Sequence, residues 1–343
     1  MAVTRPSPGA QRAQELGVAL LFALLTVAEA RLIVGALLRN RDQVAFVLQN
    51  ASGILAGTPV WKSSQHRLLG PALLRALDPL IRDPALALGW FLGLGIFAEN
   101  LLLWRLFRRE GSGRAVAFAS IVTFGLLHFL SLYKLEYPWD SLDVLLFTGF
   151  GYWASLQARL RVLLPLVLLG LINHETVLYV PLWCALAVTD SALSPARRQR
   201  ELLWGVTVLV ATIAGILLLR EVLYVGPASL SGRTIDSATP WVANPLHLRH
   251  NLRQFWIENW GAGRAGISVS LLLALWVLLA AVRKRRPETR AALWSLLVLL
   301  TVFCFGYVNE TRLYLPLFAF WFGYRGPSAA RYLTHRLRLS REN

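Results

Sequence analysis

Residues 16–38 read LGVALLFALLTVAEARLIVGALL, and the class of fold turns on them. A helix rises about 1.5 Å per residue, so about 20 apolar residues cross a hydrocarbon core about 30 Å thick. This run is long enough, and only Glu29 and Arg31 interrupt it with charge. Arg5 and Arg12 precede it, and the small-residue triplet Ala28–Ala30 resembles a signal-peptide cleavage site. The apolar run continues through Leu32–Leu38, which favours an uncleaved first membrane helix.

The rest of the chain agrees. Of 343 residues, 56% are hydrophobic and 16% charged, against about 45–50% and about 25% in soluble domains. The hydrophobic segments are about ten, near 15–38, 84–107, 115–133, 142–157, 161–172, 176–189, 202–220, 266–283, 291–308 and 312–324. The expected architecture is all-α: a polytopic membrane helical bundle forming one integral domain over 1–343. The net charge of +16 raises the question of nucleic acid, but its placement answers it. With the N-terminus in the cytoplasm, the clusters Arg108–Arg109–Arg114, Arg159–Arg161, Arg197–Arg200 and Arg283–Arg286 and the basic tail 325–343 all fall inside. The charge therefore reads as a topology signal and as contact with anionic lipid heads, with no nucleic-acid partner.

Four regions then face outward: loop 39–83, loop 134–141, loop 221–265, and the helix ends bearing a repeated phrase. Loop 39–83 contains short amphipathic pieces at Val44–Leu48 and His66–Leu77. In loop 221–265, Leu248, Leu252, Phe255 and Trp256 share one face at helical spacing, as an interfacial helix does. Such a helix serves a lipid-borne substrate or merely covers the bundle, and the sequence leaves both open. Cys184 and Cys304 lie in apolar runs and read as packing residues. Walker, GxGxxG, GxSxG and HExxH motifs are absent, so nothing supports a nucleotide cofactor.

The repeated phrase is E-T-x-L-Y-x-P-L, in INHETVLYVPLW (172–183) and VNETRLYLPLF (308–318). Ionisable groups at membrane depth are costly unless paired or wet, so each is a functional candidate. His174, Glu175, Glu310 and Arg312 belong to the phrase. Asp140 and Asp143 sit at i, i+3 on one helix face, and Asp140 or Ser141 can equally cap that helix. Asp42 follows the first helix, where capping the next short helix is the plain alternative. His66 and Arg67 open the second amphipathic piece. Glu29 and Glu99 read as buried structural pairs, and His128 as a lone packing histidine. Topology sends Asp42, His66, Arg67, Asp140, Asp143, His174, Glu175, Glu310 and Arg312 to one side, which suggests a polar cavity opening outward.

This arrangement resembles the C-type superfamily of polytopic membrane glycosyltransferases (GT-C). A first helix followed by a long outer loop with an early acidic residue is similar, with Asp42 in that place. AGTPVW (56–61) and HRLLGPAL (66–73) resemble the G-x-P-x-[YW] and R-x-L-x-P phrases of bacterial members. NHETVLYVPLW resembles N-K-E-T followed by P-L, with His174 in the lysine position. NETRLYLPLF resembles E-x-R-x-x-x-P, with Thr311 between Glu310 and Arg312. The acidic pair usual in the first outer loop is reduced to Asp42, and no soluble outer domain follows. The resemblance implies a sugar donor on polyprenyl phosphate, with no nucleotide, handled at the outer face of a bacterial inner (plasma) membrane. It implies Asp42 as general base, with Asp140 assisting or binding a divalent cation by oxygen ligation. Arg67 and Arg312 would clamp phosphate. Glu175 and Glu310 would orient the arginines or the sugar, with His66, Asp143 and His174 lining the substrate site. A transporter or flippase of a lipid-linked substrate, and a non-catalytic partner in envelope polysaccharide assembly, are the rival expectations.

Overall fold

The computed structural model describes residues 8–58, 67–131, 138–223, 229–230, 233–234, 286–305 and 314–342. Apart from a two-residue antiparallel ladder pairing Ser229–Leu230 with Arg233–Thr234, regular structure among them is helical. In chain order the helices are α1 (Pro8–Arg39), α2 (Arg41–Ala56), α3 (Leu69–Arg75), α4 (Pro84–Arg109), α5 (Arg114–Ser131), α6 (Asp140–Leu156), α7 (Leu163–Leu171), α8 (Tyr179–Ala185), α9 (Pro195–Val222), α10 (Arg286–Phe305), α11 (Leu315–Tyr324) and α12 (Gly326–Glu342). Short 3-10 turns at Glu175–Leu178 and Leu186–Thr189 flank α8.

Local chemistry sets the boundaries. Asn40 caps α2, accepting from the Gln43 N–H at 3.1 Å, so the capping role open to Asp42 belongs instead to its neighbour. Asp42 lies one residue inside, in the first turn. α2 runs well past Val44–Leu48, until Gly57 adopts a left-handed φ of 64°. Asp83 caps α4, with Pro84 at its first position. Neither Asp140 nor Ser141 caps α6: Trp139 is at the cap position, and the Ser141 hydroxyl donates back to Pro138 O.

The helices run alternately between two ends of the bundle. Phe22 of α1 packs on Phe97 and Trp104, while Val34 and Leu38 lie against Gly89, so α1 and α4 are antiparallel. Arg197 at the start of α9 binds the Gln157 and Ala158 carbonyls beyond α6. Leu171 at the end of α7 meets Gly215, while Pro181 and Cys184 of α8 meet Gly205. α7 and α8 therefore form a hairpin against α9, with the NHE phrase at its tip. The arginines at 108, 109, 114, 159, 161, 197, 198 and 200 thus gather at the end opposite that tip.

Three helices are long and apolar enough to cross a membrane: Ala13–Arg39, Pro84–Arg109 and Pro195–Val222. Protein buries only 11% and 17% of the apolar stretch in the first and third, against 44% in the second. Leu20, Leu24 and Val27 on α1 and Val210, Leu217 and Leu218 on α9 are exposed; in a membrane protein that surface meets lipid. Further apolar helices, including Leu160–Leu171, Glu175–Thr189 and Leu315–Tyr324, are shorter. The expected segment at 266–283 and the interfacial helix around Leu248–Trp256 lie outside the described residues.

The core is aromatic. Trp294 lies 4.2 Å from Phe320 between ring centroids, and its indole N–H donates to Tyr179 O at 2.6 Å. α6 and α11 approach closely through two glycines. A Cβ at Gly151 would meet Phe320 O at 2.1 Å, and one at Gly323 would meet Thr148 O at 2.1 Å. Small residues permit this kind of close helix packing in membranes. Gly151→Val will therefore cost about 1–3 kcal/mol by overpacking. Gly149→Ala, with nothing within 4 Å of the new methyl, will be neutral or will gain up to about 1 kcal/mol from helix propensity. Unfolding in detergent measures both.

Candidate functional site

Among the described residues, the hairpin tip carries a cluster of hydrogen-bonded and ion-paired side chains. α7 stops where the Asn173 and His174 amides both turn back to Gly170 O, at 2.9 and 2.8 Å. Val177 packs over Gly170, where a Cβ would approach Val177 Cγ2 to 2.5 Å, and this close packing folds the tip tightly. His174 then acts as a cap. Its Nδ1 accepts the Thr176 N–H at 3.2 Å. The segment before α3 is tied to the tip by Leu69 N–H donating to Ile172 O at 2.9 Å. Trp139, wholly buried, packs on Gly70 and brings the start of α6 alongside.

Two arginines converge on one carboxylate in this frame. Arg67 Nη2 donates to Glu175 Oε2 at 3.2 Å, and Arg220 Nη2 donates to Glu175 Oε1. The side chains of Arg67, Glu175 and Arg220 are only 7%, 17% and 13% exposed. Beside them Asp143 accepts from Asn173 Nδ2 and from the Thr176 hydroxyl, both at 2.7 Å. His174 Nδ1 lies between the two carboxylates, 3.5 Å from Glu175 Oε2 and 3.7 Å from Asp143 Oδ2. The motif NHET thus supplies four consecutive polar side chains to one cluster.

Of the residues expected from sequence, Arg67, Asp143, His174 and Glu175 come together here. Asp140 is buried one turn before Asp143 on α6. Asp42 is exposed beside Arg39 and Arg41 in an open depression, and among the described residues no ion pair or hydrogen bond joins it to the cluster. His66, Glu310 and Arg312 lie outside the described residues. Arg220, Asn173 and Thr176 complete the cluster without having been singled out. Arg220 carried a signal: it is the basic residue in the last turn of a long apolar helix. His128, alone on its helix in sequence, has Glu99 at 3.3 Å. Glu29 and Glu99 are not paired with arginine in the structure, and both approach His128 instead.

Chemically, two guanidiniums share one carboxylate, with the Asp143 carboxylate beside them. The planar forks suit a phosphate or carboxylate ligand. The described residues bring no group of three metal-ligating side chains together here. No protein-family model, no curated protein and no solved structure matches the chain.

Proposed function

We propose that the chain is a membrane glycosyltransferase that moves a sugar from a polyprenyl-phosphate donor to an acceptor hydroxyl. The observation that carries this reading is the Arg67–Glu175–Arg220 triad, held at the same end of the bundle as Asp42, Asp140 and Asp143. A polyprenyl-phosphate sugar has its tail in lipid and its phosphate at headgroup depth. Arg67 and Arg220 receive that phosphate, and Arg312 joins them from the second copy of the phrase. Glu175 holds both forks in place between turnovers. His66 and Glu310 are assigned to the same donor site on the sequence resemblance alone. Asp143, fixed by Asn173 and Thr176, and His174 line the sugar.

In the transfer, the acceptor oxygen attacks the anomeric carbon and its proton passes to a carboxylate. The anomeric C–O bond to phosphate breaks, and polyprenyl phosphate leaves bound to the arginines. Asp42, exposed and open to a water-borne acceptor, is the proposed base, and Asp140 assists from the start of α6. About ten membrane segments, both termini in the cytoplasm and a site on the outer face of a bacterial plasma membrane complete the proposal, the side being set by the basic clusters.

Purified protein in nanodiscs, offered a panel of polyprenyl-phosphate sugars, will consume one donor, followed by mass spectrometry. Asp42→Asn will slow transfer about 100-fold or more while unfolding at the same temperature as the parent. Arg312→Ala will raise KM for the donor more than for the acceptor. Failure of folded protein to consume any donor, or full activity of Asp42→Asn, contradicts the transferase or its base respectively.

A further inference from the structure

A second polar cluster lies within the helices, on residues the proposed transfer does not use. Glu29 of α1, Glu99 of α4 and His128 of α5 each offer a ligand atom, and these atoms all lie within 4.8 Å of one another. Glu99 is wholly buried and His128 is 3% exposed. His128 Nδ1 stands 3.3 Å from Glu99 Oε2. Both Glu99 oxygens, Glu29 Oε1, His128 Nδ1 and Asn100 Oδ1 are buried without a hydrogen-bond partner. Lone-pair donors of Glu29, Glu99 and His128 thus gather at one point in an apolar bundle.

The surroundings are built to hold them there. Asn100, also wholly buried, donates from Nδ2 to Glu29 Oε2 at 2.7 Å and to Thr26 Oγ1 at 3.2 Å, which fixes the Glu29 carboxylate. Gly125, one turn before His128, leaves the space that carboxylate occupies. A Cβ there would come within 2.6 Å of Glu29 Oε1. Carboxylates at membrane depth, Glu99 wholly buried and Glu29 half-buried, are costly without a cation. A divalent ion balances both, with the imidazole as a neutral ligand. A tetrahedral ion with bonds of about 2.0 Å has ligand atoms about 3.3 Å apart, the separation seen between His128 Nδ1 and Glu99 Oε2.

We infer that Glu29, Glu99 and His128 form a binding site for one divalent transition-metal ion of the zinc class, with Asn100 as the second-shell residue that orients Glu29. The ion joins α1 and α4 to the last turn of α5. It is independent of the Arg67–Glu175–Arg220 cluster.

The test uses the full chain, purified in detergent without a polyhistidine tag, stripped with chelator and titrated with cobalt(II). The expected result is one cobalt per chain, with visible d–d absorption of an inner-sphere nitrogen–oxygen site, displaced by zinc and accompanied by a rise in unfolding temperature. His128→Asn and Glu99→Gln should each weaken binding at least about 100-fold, since losing even an outer-shell partner costs about 10–100-fold. Glu29→Gln, which preserves shape, serves if either variant fails to fold. Gly125→Ala should weaken binding by displacing Glu29, and Glu175→Gln should leave it unchanged. Folded parent protein that binds no cobalt, or the same affinity in the folded ligand variants, overturns the inference.

Discussion

Glu175→Ala will destabilise the protein by about 3–5 kcal/mol, because removing one partner of a buried ion pair leaves uncompensated charge. The effect is compounded here, since Glu175 separates two guanidiniums that are each largely out of solvent. Glu175→Gln will cost less, as the amide oxygen still accepts one hydrogen bond. Added inorganic phosphate should restore part of the loss in Glu175→Ala, because an anion between Arg67 and Arg220 replaces the missing carboxylate. At about 100 times its Kd a ligand contributes about 2.7 kcal/mol. Chemical unfolding in micelles, with and without phosphate, measures both effects. An unchanged midpoint in Glu175→Ala would show that the triad is held by its surroundings rather than by its charges.

The second large effect belongs to the opposite end of the bundle. Arg290 is 3% exposed and binds Glu201 Oε2 at 2.6 Å. Its Nε and Nη2 donate to Trp183 O at 2.9 and 2.8 Å, and its guanidinium lies 4.6 Å from the centre of the Trp183 ring. Asp190 approaches at 3.7 Å, and Arg197 holds the other Glu201 oxygen at 2.9 Å. Two cations and two carboxylates thus balance inside protein, locking α8, α9 and α10 together. Arg290→Met will cost about 3–5 kcal/mol by stranding Glu201. Arg290→Lys will also be costly, since an ammonium cannot reproduce the fork or the ring contact. The double variant Arg290→Met/Glu201→Met will recover part of the loss, because it removes the stranded carboxylate but leaves Asp190 and Arg197 without their partners. Equal stability of the single and double variants would contradict this account.

Three of the ten expected segments, near 15–38, 84–107 and 202–220, reappear as helices long and apolar enough to cross a membrane, because length and apolarity are local properties. The run at 16–38 marks α1, the run after Pro84 marks α4, and Gly57 and Asp83 mark the helix boundaries between them. The hairpin at the NHE phrase is legible too, since a polar break divides two short apolar runs. The partners across helices are not. Nothing near His128 in sequence names Glu99, because the two meet only when α4 and α5 pack antiparallel. Glu29 is i, i+2 from Arg31, but a helix sends those residues to different faces, and Glu29 turns to Asn100 instead. Arg220 is visible only as a charge in the last turn of an apolar helix. Asp42 attracts attention by type and place, yet its helix holds it in an exposed first turn, apart from the cluster that captures Asp143.

The most direct measurement of the central claim is the affinity for polyprenyl phosphate in nanodiscs, read by native mass spectrometry for the parent and for Arg220→Gln. Charge-assisted hydrogen bonds contribute about 1.5–3 kcal/mol, so Arg220→Gln should bind about 10-fold to 100-fold more weakly, with its fold intact by circular dichroism. Equal affinity in the two proteins would contradict a phosphate site built on Arg67, Glu175 and Arg220.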